Sequence, residues 1–440
     1  MGVVKKNGLK FWNKAKKIIP GGNSLISKRP ERYAPDIWPV YFSKAKGCHV
    51  WDIDNIKYFE AAQMSVGASI LGYANNQIDT KVKKFISKGN ISTLNALEEY
   101  YLARLLINNN KFASKVKFGR SGGEAMAIAV RIARSVSKNQ KILFSGYHGW
   151  MDWYLATNLQ NKKNLDTHLI KGLSTLGVDK RLKETIFPFK YNSYTDLKKN
   201  IYNHNPGIII VEGARYNLPS AKFVKLINSI CKKKKIILIV DEITSGFRIG
   251  PSGSYIKTGF KPDIVVYGKG LGNGYAISAV LGNNRAMRKA DEMFISSSNW
   301  TERVGFVAAI ETLKFIKKKK IWININSTGK FIEKNWLKIF DKYKIKVSLG
   351  NFYPLMTFNL GYSQKINNYI LTYFCQEMLA NKIIASNSIY LSYAHKKKYF
   401  KKYFLIFDKI FKKISELKNI DEVKKLLKTR PRSDSFTRLT

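Results

Sequence analysis

Six short apolar runs, separated by segments with helical periodicity, dominate the middle of the chain. They are Val116–Phe118, Ile142–Phe144, Ile208–Val211, Ile236–Val240, Ile264–Val266 and Ile277–Leu281. Strands that alternate with helices in this way are typical of a mostly parallel sheet covered by helices. The pattern therefore predicts an α/β fold. It also predicts where ligands bind, because open sheets of this class bind them beyond the carboxyl ends of their strands.

The segments on either side of this region have weaker patterns. Residues 1–54 contain one amphipathic helix pattern and two short strand candidates, which is too little for a core of their own. From residue 317 to 440, lysine-rich helices alternate with short strand candidates. A chain of 440 residues is long enough for two domains. We therefore expect a large domain over 55–316 and a smaller α+β domain formed by 1–54 together with 317–440.

The charge of the chain is strongly positive, with 77 Lys and Arg against 30 Asp and Glu and a net charge of +47. Such a charge can indicate binding to nucleic acid or to a membrane surface. Here the lysines are spread over the whole length and accompany abundant Asn and Ile, which favours a compositional bias. We therefore do not expect a nucleic-acid partner.

Neither a membrane nor a metal is expected. No apolar run approaches the roughly 20 residues that span a bilayer, and the basic N-terminus lacks the apolar stretch of a signal peptide. The three cysteines, Cys48, Cys231 and Cys375, are far apart, and the five histidines form no pair with metal-ligand spacing. An odd number of scattered cysteines fits a reducing compartment. These features predict a cytoplasmic protein without a metal site.

The helix that follows the first run begins with residues suited to an anion. Ser121 and Glu124, three residues apart, form a capping box. Gly122 and Gly123 lie in the first turn and leave backbone N–H groups open to a ligand. A helix N-terminus of this kind can hold a phosphate through its free N–H groups and its dipole. Most capping boxes only start a helix, so this pattern alone does not establish a site.

A carboxylate and a lysine follow two later runs. Asp241 can pair with a protonated ring nitrogen, and Lys269, which stands among glycines, can form a Schiff base with a carbonyl. Each also has an ordinary interpretation, as a helix cap or as solvated surface. Together with a phosphate site they define pyridoxal 5'-phosphate, which needs an anion site, a carboxylate and a lysine. Tyr147, just past the second run, can stack on a flat cofactor or simply pack.

These motifs occur in the order and spacing of a known family. The chain resembles the class III, fold-type I pyridoxal-phosphate aminotransferases, and within them the glutamate-1-semialdehyde aminomutase branch. The matching stretches are Ile19–Ser24, Gly47–Asp54, Ser121–Ala125, Tyr147–Gly149, Asp241–Arg248 and Gly268–Gly270. The resemblance implies a large domain with a mostly parallel seven-stranded sheet and helices on both faces. It implies that the smaller α+β domain is built from the N- and C-terminal segments.

The resemblance also implies roles for the matching residues. Lys269 would carry the cofactor and shuttle a proton, Asp241 would keep the pyridine nitrogen protonated, and Tyr147 would pack over the ring; these three are the implied catalytic residues. The residues implied at the cofactor are Ser121, Gly122, Gly123, Tyr147, His148, Glu212, Asp241, Ile243, Lys269 and Ser298. Ser298 aligns with a family threonine that reaches the cofactor phosphate of the neighbouring subunit. A homodimer with active sites near the subunit interface is therefore expected.

The chain departs from the aminomutase pattern on the substrate side. Gly123 stands where the family usually has Thr or Ser, and 300–303 replace a Ser-Gly-Asn-Pro sequence. Leu25–Ser27 replace Pro-Val-Arg, whose arginine engages the substrate carboxylate in the aminomutase. The differences at 25–27 and 300–303 argue against the semialdehyde as substrate, and Gly123 removes one side-chain contact to the phosphate. The cofactor chemistry is left intact.

Three functions follow from these observations. The main hypothesis is an aminotransferase that moves an amino group from a small amino donor to a carbonyl acceptor through a Lys269 Schiff base. The alternative is a glutamate-1-semialdehyde 2,1-aminomutase, which transfers the amino group within one molecule and uses the same residues. The third hypothesis is a non-catalytic basic binding protein on the same scaffold. Fold alone does not decide between them.

Overall fold

The computed structural model describes residues 7–168 and 170–436 of the chain. The chain forms two compact units. The terminal unit comprises Met1–Asn75 and Asn324–Thr440 as far as they are described, and the central unit comprises Asn76–Ile323. The two units meet after Asn75 and after Ile323. The expected domain boundaries were after residues 54 and 316, and they stay a prediction.

The regular elements are numbered in chain order. The strands are β1 (Phe42–Lys46), β2 (His49–Asp52), β3 (Lys57–Ala61), β4 (Lys115–Gly119), β5 (Ile142–Ser145), β6 (Ile186–Pro188), β7 (Ile208–Glu212), β8 (Ile237–Asp241), β9 (Ile264–Tyr267), β10 (Ser278–Gly282), β11 (Val347–Leu349), β12 (Leu355–Leu360), β13 (Ile383–Ala385) and β14 (Ser388–Tyr390). The α-helices are α1 (Asn7–Ile18), α2 (Asn76–Ile86), α3 (Leu97–Asn109), α4 (Gly122–Val136), α5 (Asp152–Leu155), α6 (Tyr194–His204), α7 (Ala221–Lys234), α8 (Tyr255–Thr258), α9 (Asn284–Met287), α10 (Arg303–Lys319), α11 (Ile321–Lys342), α12 (Gln364–Ala380) and α13 (Phe400–Ser415).

The central unit is built on a seven-stranded sheet with the order β4-β10-β9-β8-β7-β5-β6. The pairs β9–β8, β8–β7, β7–β5 and β5–β6 are parallel, and β10 runs antiparallel to both of its neighbours. The mostly parallel seven-stranded sheet predicted above is therefore confirmed. Because six strands share one direction, their carboxyl ends meet at one edge of the sheet.

The strands of this sheet are buried because helices cover them. All five residues of β7 and of β8 are buried, and each strand is apolar up to its last residue, Glu212 or Asp241. Helix α4 packs on β9 and β10. Its buried residues Ala125, Ile128, Ala129 and Ile132 recur at the spacing of one helical face. Each large apolar side chain buried in this way contributes about 1.5–3 kcal/mol, so the start of α4 is held firmly against the sheet edge.

The terminal unit has an α+β structure, as predicted for the smaller domain. A four-stranded sheet has the order β1-β2-β3-β13, and a second sheet has the order β11-β12-β14. Strand β13 pairs in parallel with β3 and so joins the C-terminal segment to the N-terminal one. Aromatic side chains fill the core, among them Trp336, whose Nε1–H donates to the Tyr403 hydroxyl at 3.1 Å. Across the described ranges, no helix is both long and apolar enough to cross a membrane.

Candidate active site

Side chains with catalytic potential collect at the carboxyl edge of the central sheet. Glu212 ends β7 and Asp241 ends β8, and the two residues are direct partners in the parallel ladder. Strand β9 ends two residues before Lys269. Adjacent strands lie about 4.8 Å apart, so both carboxylates and the lysine start from neighbouring positions. The alternation of strands and helices thus brings together residues that are far apart in the sequence.

The start of α4 forms an anion cradle at the same edge. The Ser121 hydroxyl accepts a hydrogen bond from the Glu124 N–H at 3.3 Å, and Glu124 Oε2 accepts one from the Ser121 N–H at 2.7 Å. This capping box fixes the turn. The N–H groups of Gly122 and Gly123 have no acceptor within the helix, because the first turn of an α-helix has none. They are therefore available to an anion, which the helix dipole also favours.

The Ile243 side chain lies between the α4 cradle and the loop that carries Lys269. A Cβ placed on Gly122 would lie 3.1 Å from Ile243 Cδ1, and one placed on Gly268 would lie 3.5 Å from Ile243 Cγ1. The absence of side chains at both glycines thus keeps space on either side of Ile243. The α4 cradle, Ile243 and Gly268 therefore lie around one region at the sheet edge.

The loop after β5 packs on the cradle through glycine. Gly149 has a φ of +107°, and a Cβ there would lie 3.0 Å from the Gly123 Cα atom. Gly149 therefore meets two requirements that only glycine satisfies without strain. A Cβ on Gly123 would lie 3.3 Å from both Cδ1 and Nε1 of Trp150. A Thr or Ser at position 123, usual in the family that this chain resembles, would require the Trp150 ring to shift.

Asp241 is held in a fixed orientation. Its Oδ1 accepts a hydrogen bond from the Ile243 N–H at 2.9 Å, and its Oδ2 lies 2.8 Å from Nδ1 of His148. Asp241 is 4% exposed and His148 is 1% exposed. The Nε2 atom of His148 is buried and has no hydrogen-bond partner in the described part of the chain. The two residues form a buried pair that aims a carboxylate at the sheet edge.

Lys269 is half-buried and has a lowered pKa. Its Nζ donates to Thr244 Oγ1 at 2.8 Å, and its backbone has a left-handed φ of +43°. Burial lowers the pKa of Lys269 to about 8, and the positive charge of Arg215 lowers it further, whereas Asp241 opposes this shift. A lysine with this pKa is partly neutral near pH 8 and is able to attack a carbonyl.

Tyr147 lies beside Glu212 and Arg215. The Tyr147 N–H donates to Glu212 Oε2 at 3.3 Å, and Nη1 of Arg215 lies 3.6 Å from the same oxygen. The Arg215 guanidinium stands over the Tyr147 ring, 5.7 Å from its centroid. Burial raises the pKa of the Tyr147 hydroxyl, while the Arg215 charge opposes that rise. Tyr147 therefore presents a neutral aromatic ring to the site.

Ser298 is not joined to the other predicted site residues. It is exposed, and its carbonyl oxygen accepts a hydrogen bond from the Thr301 hydroxyl at 2.8 Å. In the described chain, no hydrogen bond links the Ser298 side chain to another residue. Its neighbour Trp300 reaches the cradle, with Nε1 3.4 Å from Glu124 Oε1. The role of Ser298 toward a partner subunit stays a prediction.

Three residues at this edge were not among the predicted site residues. Thr244 contacts the lysine, Arg215 stands over Tyr147, and Trp150 lies on the cradle. Thr244 lies inside the motif Asp241–Arg248, so it could have been predicted as a site residue from that motif. Arg215 and Trp150 follow Glu212 and Tyr147 closely in sequence, but nothing in the pattern shows where their side chains point.

The residues present fit pyridoxal 5'-phosphate. A Cβ on Gly122 would crowd Ile243 and one on Gly123 would crowd Trp150, so the two glycines keep the first turn of α4 open beside these side chains. Asp241 offers a fixed carboxylate for a protonated ring nitrogen, and Lys269 offers an amino group for the aldehyde. Within the described ranges, no cluster of three or more His, Cys, Asp or Glu side chains could hold a metal ion.

Comparisons with known proteins agree with this fit. A family model for class-III aminotransferases matches residues 32–365. The chain is 35% identical over 321 residues to glutamate-1-semialdehyde 2,1-aminomutase of Nitrosopumilus maritimus (strain SCM1), covering 71% of this chain and 73% of that protein. It is 29% identical over 362 residues to 3-aminobutyryl-CoA aminotransferase of Cloacimonas acidaminovorans (strain Evry), covering 80% of this chain and 83% of that protein.

A solved structure shows the same fold. The PLP internal aldimine form of the FumI protein of Sphingopyxis sp. MTA144 matches with a TM-score of 0.84 at 20% identity, covering 99% of this chain and 100% of that chain. At this identity the likeness concerns the fold alone. It confirms the fold-type I architecture expected from the sequence.

Proposed function

The chain belongs to the class-III aminotransferases, a family of pyridoxal-phosphate enzymes, and from that premise we propose that it transfers an amino group from a small amino donor to a separate carbonyl acceptor. The observation that carries the proposal is that Lys269, Asp241 and the α4 cradle lie at one edge of the sheet, where burial also lowers the pKa of Lys269 to about 8. A lysine that is partly neutral near physiological pH serves both as nucleophile and as proton carrier.

Each residue of the site has its own role in the proposed reaction. When bound, pyridoxal phosphate supplies an electron sink for the carbon that loses its proton. The amides of Gly122 and Gly123 would hold its phosphate, and Ile243 would support one face of its ring. Asp241, fixed by His148, would keep a proton on the ring nitrogen. Lys269 would take a proton from one carbon and return it to another, with Thr244 Oγ1 orienting its Nζ at 2.8 Å.

The terminal unit favours a transaminase over an aminomutase. Leu25–Ser27 stand where the aminomutase pattern has the carboxylate-binding arginine, and the nearest arginine in sequence is Arg29. Arg29 is 6% exposed and lies so close to Gly21 that a Cβ there would collide with its guanidinium. The Arg29 guanidinium is therefore packed against the backbone of its own unit. We therefore favour intermolecular transfer.

Dependence on a second amino compound tests this choice. Purified protein loaded with pyridoxal phosphate should give no product from glutamate 1-semialdehyde alone. It should turn over a carbonyl acceptor only when an amino donor is added, because each half-reaction needs its own substrate. Single-turnover bleaching and recovery of the cofactor absorbance would measure the two halves separately. Efficient isomerisation of the semialdehyde without a donor would show instead that the protein is an aminomutase.

We also propose that the functional unit is a homodimer. The segment from α2 to α3 exposes a run of large apolar side chains in the central unit: Ile86, Ile91, Leu94, Leu97, Tyr100 and Tyr101. Leu94 is 82% exposed and Leu97 is 58% exposed. Several large apolar side chains exposed within one short segment are typical of a protein interface. The exposed Ser298, which the family resemblance assigns to a neighbouring subunit's cofactor, supports the same assembly.

Sedimentation velocity would test the dimer. The wild-type protein should sediment as a dimer, and the double variant Leu94→Glu/Leu97→Glu should shift to the monomer because two carboxylates cannot be buried unpaired. Leu176→Glu changes a leucine that is 94% exposed and lies outside this segment, so it serves as the matched control. A monomeric wild type, or a double variant as dimeric as the control, would contradict the proposal.

A cytoplasmic location is part of the same proposal. Cys48, Cys231 and Cys375 are all free and buried. Three unpaired thiols fit a reducing compartment. Fractionation of expressing cells would test this, and recovery outside the cytoplasm would contradict it.

A further inference from the structure

We propose that the indole N–H of Trp150 donates a hydrogen bond to the phosphate of pyridoxal 5'-phosphate, beside the backbone N–H groups of Gly122 and Gly123. The inference rests on the family's cofactor and on the α4 cradle, and it does not depend on the choice between a transaminase and an aminomutase. It assigns to Trp150 a role in holding the cofactor and none in the chemical steps.

The indole of Trp150 presents one edge to the first turn of α4. A Cβ placed on Gly123 would lie 3.3 Å from both Cδ1 and Nε1 of Trp150. Apart from the glycine's own helix, the next atom is Met151 Cε at 3.9 Å, so every other atom of the indole lies at least that far away. A ring lying face-on would bring its Cγ and Cε2 atoms closer than this. The indole therefore turns its Cδ1–Nε1 edge, which carries the N–H, toward Gly123.

This edge lies on the side of the turn where an anion binds. Cα–Cβ bonds in a helix tilt toward its N-terminus, so the Cβ position of Gly123 lies on the N-terminal side of that residue. The free N–H groups of the first turn point the same way. Nε1 of Trp150 is thus placed beside the N–H groups of Gly122 and Gly123. The indole adds a third donor to a turn that already offers two.

The loop that carries Trp150 is held on both sides of the indole. A Cβ on Gly149 would lie 3.0 Å from the Gly123 Cα atom, so the two backbones are in close contact. On the other side, Met151 precedes α5, and its carbonyl oxygen accepts a hydrogen bond from the Tyr154 N–H at 2.9 Å. The position of the Trp150 ring beside the cradle is therefore set by its backbone.

The Trp150 N–H is available to a ligand. Within the described chain, no acceptor pairs with its Nε1–H. Trp300, the other tryptophan at the cradle, donates its Nε1–H to Glu124 Oε1 at 3.4 Å. Trp150 is 65% exposed, so an anion that enters the cradle can reach it. An indole combines a large apolar ring with one polar donor, and such a donor usually finds a partner where it binds.

Gly123 and Trp150 form a complementary pair. Gly123 lacks the side-chain hydroxyl that is usual at this position in the family, and the indole edge lies against the space that a side chain would take. A larger residue at position 123 would meet the indole, whereas loss of the indole would leave that space open. Trp150 thus supplies from the neighbouring loop the donor that Gly123 cannot supply from α4.

The cofactor and its phosphate-free analogue test the proposal on apo-protein. The probes are pyridoxal 5'-phosphate and pyridoxal, and absorbance titration measures the dissociation constant of each. Trp150→Phe deletes the N–H but keeps an aromatic ring. It should weaken binding of pyridoxal phosphate about tenfold, the loss expected for one hydrogen bond to a charged group, and leave pyridoxal within about twofold of wild type. Trp51→Phe, at a half-buried tryptophan on β2 of the terminal unit, is the matched control and should bind both probes as wild type does.

Inorganic phosphate gives a readout that needs no reaction with Lys269. The phosphate concentration that halves the rate of cofactor uptake should be about tenfold higher for Trp150→Phe than for wild type. Equal weakening of pyridoxal phosphate and pyridoxal would show that the indole only packs, and would overturn the proposal. Binding of all three probes as in wild type would overturn it too. These measurements use no amino substrate, so failure of every amine in a protein that gives the expected result would overturn the transaminase function alone.

A second set of variants separates the donor from the shape of the loop. Trp150→Ala removes the whole indole and should bind pyridoxal phosphate at least as weakly as Trp150→Phe. Adding Gly123→Ser to Trp150→Ala places a hydroxyl on the same turn and should recover most of the loss, whereas Gly123→Ser alone must displace the indole and should gain little. If the serine restores no binding while the midpoint of thermal unfolding is unchanged, the loss comes from a displaced loop and the proposal is overturned.

Discussion

Lys269→Ala is expected to lower the rate of amino transfer by about 10³-fold or more, because one side chain both holds the cofactor and carries the proton. The change should also abolish covalent trapping of the cofactor by borohydride. The Lys269 Nζ contacts Thr244 Oγ1 at the site surface, and its side chain is half-buried. Removing the side chain therefore removes the reactive amino group with little loss of packing. The midpoint of thermal unfolding should change by only a few degrees.

Mass spectrometry after borohydride reduction would measure this result. In the wild type, the added mass should map to the peptide that contains Lys269. Lys257→Ala, an exposed lysine on α8 of the same unit, is the matched control and should keep both trapping and activity. Full trapping in Lys269→Ala would place the cofactor on another lysine. A colourless wild type that takes up no pyridoxal phosphate would favour a non-catalytic binding protein.

The sequence predicts most of the central sheet because burial on both faces makes its strands continuous apolar runs. Every run named above lies within one residue of an observed strand; for example, Ile208–Val211 falls inside β7. Strand β6 was missed. It has only three residues, ends in Pro188 and lies at the edge of the sheet, where proline is tolerated and periodicity is weak.

The candidate site was predictable where a residue's position follows from the sheet. Asp241 and Glu212 end parallel neighbouring strands, so their proximity follows from topology alone. The positions of Arg215 and Trp150 could not be predicted in this way. Each lies in a loop, and its place depends on which ring or glycine it meets in three dimensions. The parallel pairing of β13 with β3 could not be predicted from the sequence either, because it joins segments more than 300 residues apart.

The two carboxylates at the edge have different surroundings, and this difference bears on their roles. Asp241 is fixed by the Ile243 N–H and by His148. Glu212 is paired with Arg215 and with the Tyr147 N–H, at the side where Tyr147 stands. Asp241 is thus suited to one permanent partner, whereas the contacts of Glu212 can rearrange with the substrate. Loss of Asp241 should therefore be the more damaging of the two.

Asp241→Asn is expected to lower kcat/KM by about 10²- to 10³-fold, the loss typical of removing one fixed electrostatic contact at the reacting group. The amide has the same shape and can still accept from the Ile243 N–H, so the variant should fold and bind the cofactor. It cannot keep a full positive charge on a ring nitrogen, however, so electrons from the reacting carbon are drawn into the ring less strongly. Kinetics of the single half-reaction would measure this loss.

The pair formed with His148 provides a further test of this role. His148→Gln leaves the Asp241 charge in place but removes the ring that orients it, and should cost less than Asp241→Asn. Asp179→Asn, which removes a carboxylate from a surface pair with Arg181, should leave kinetics unchanged and is the matched control. A loss below about fivefold in Asp241→Asn, with the fold intact, would show that the carboxylate does not act on the cofactor. The loss of kcat/KM should therefore be largest for Asp241→Asn, smaller for His148→Gln and absent for the control. The Asp241 charge acts on the cofactor ring directly, whereas His148 acts only by holding the Asp241 carboxylate in place.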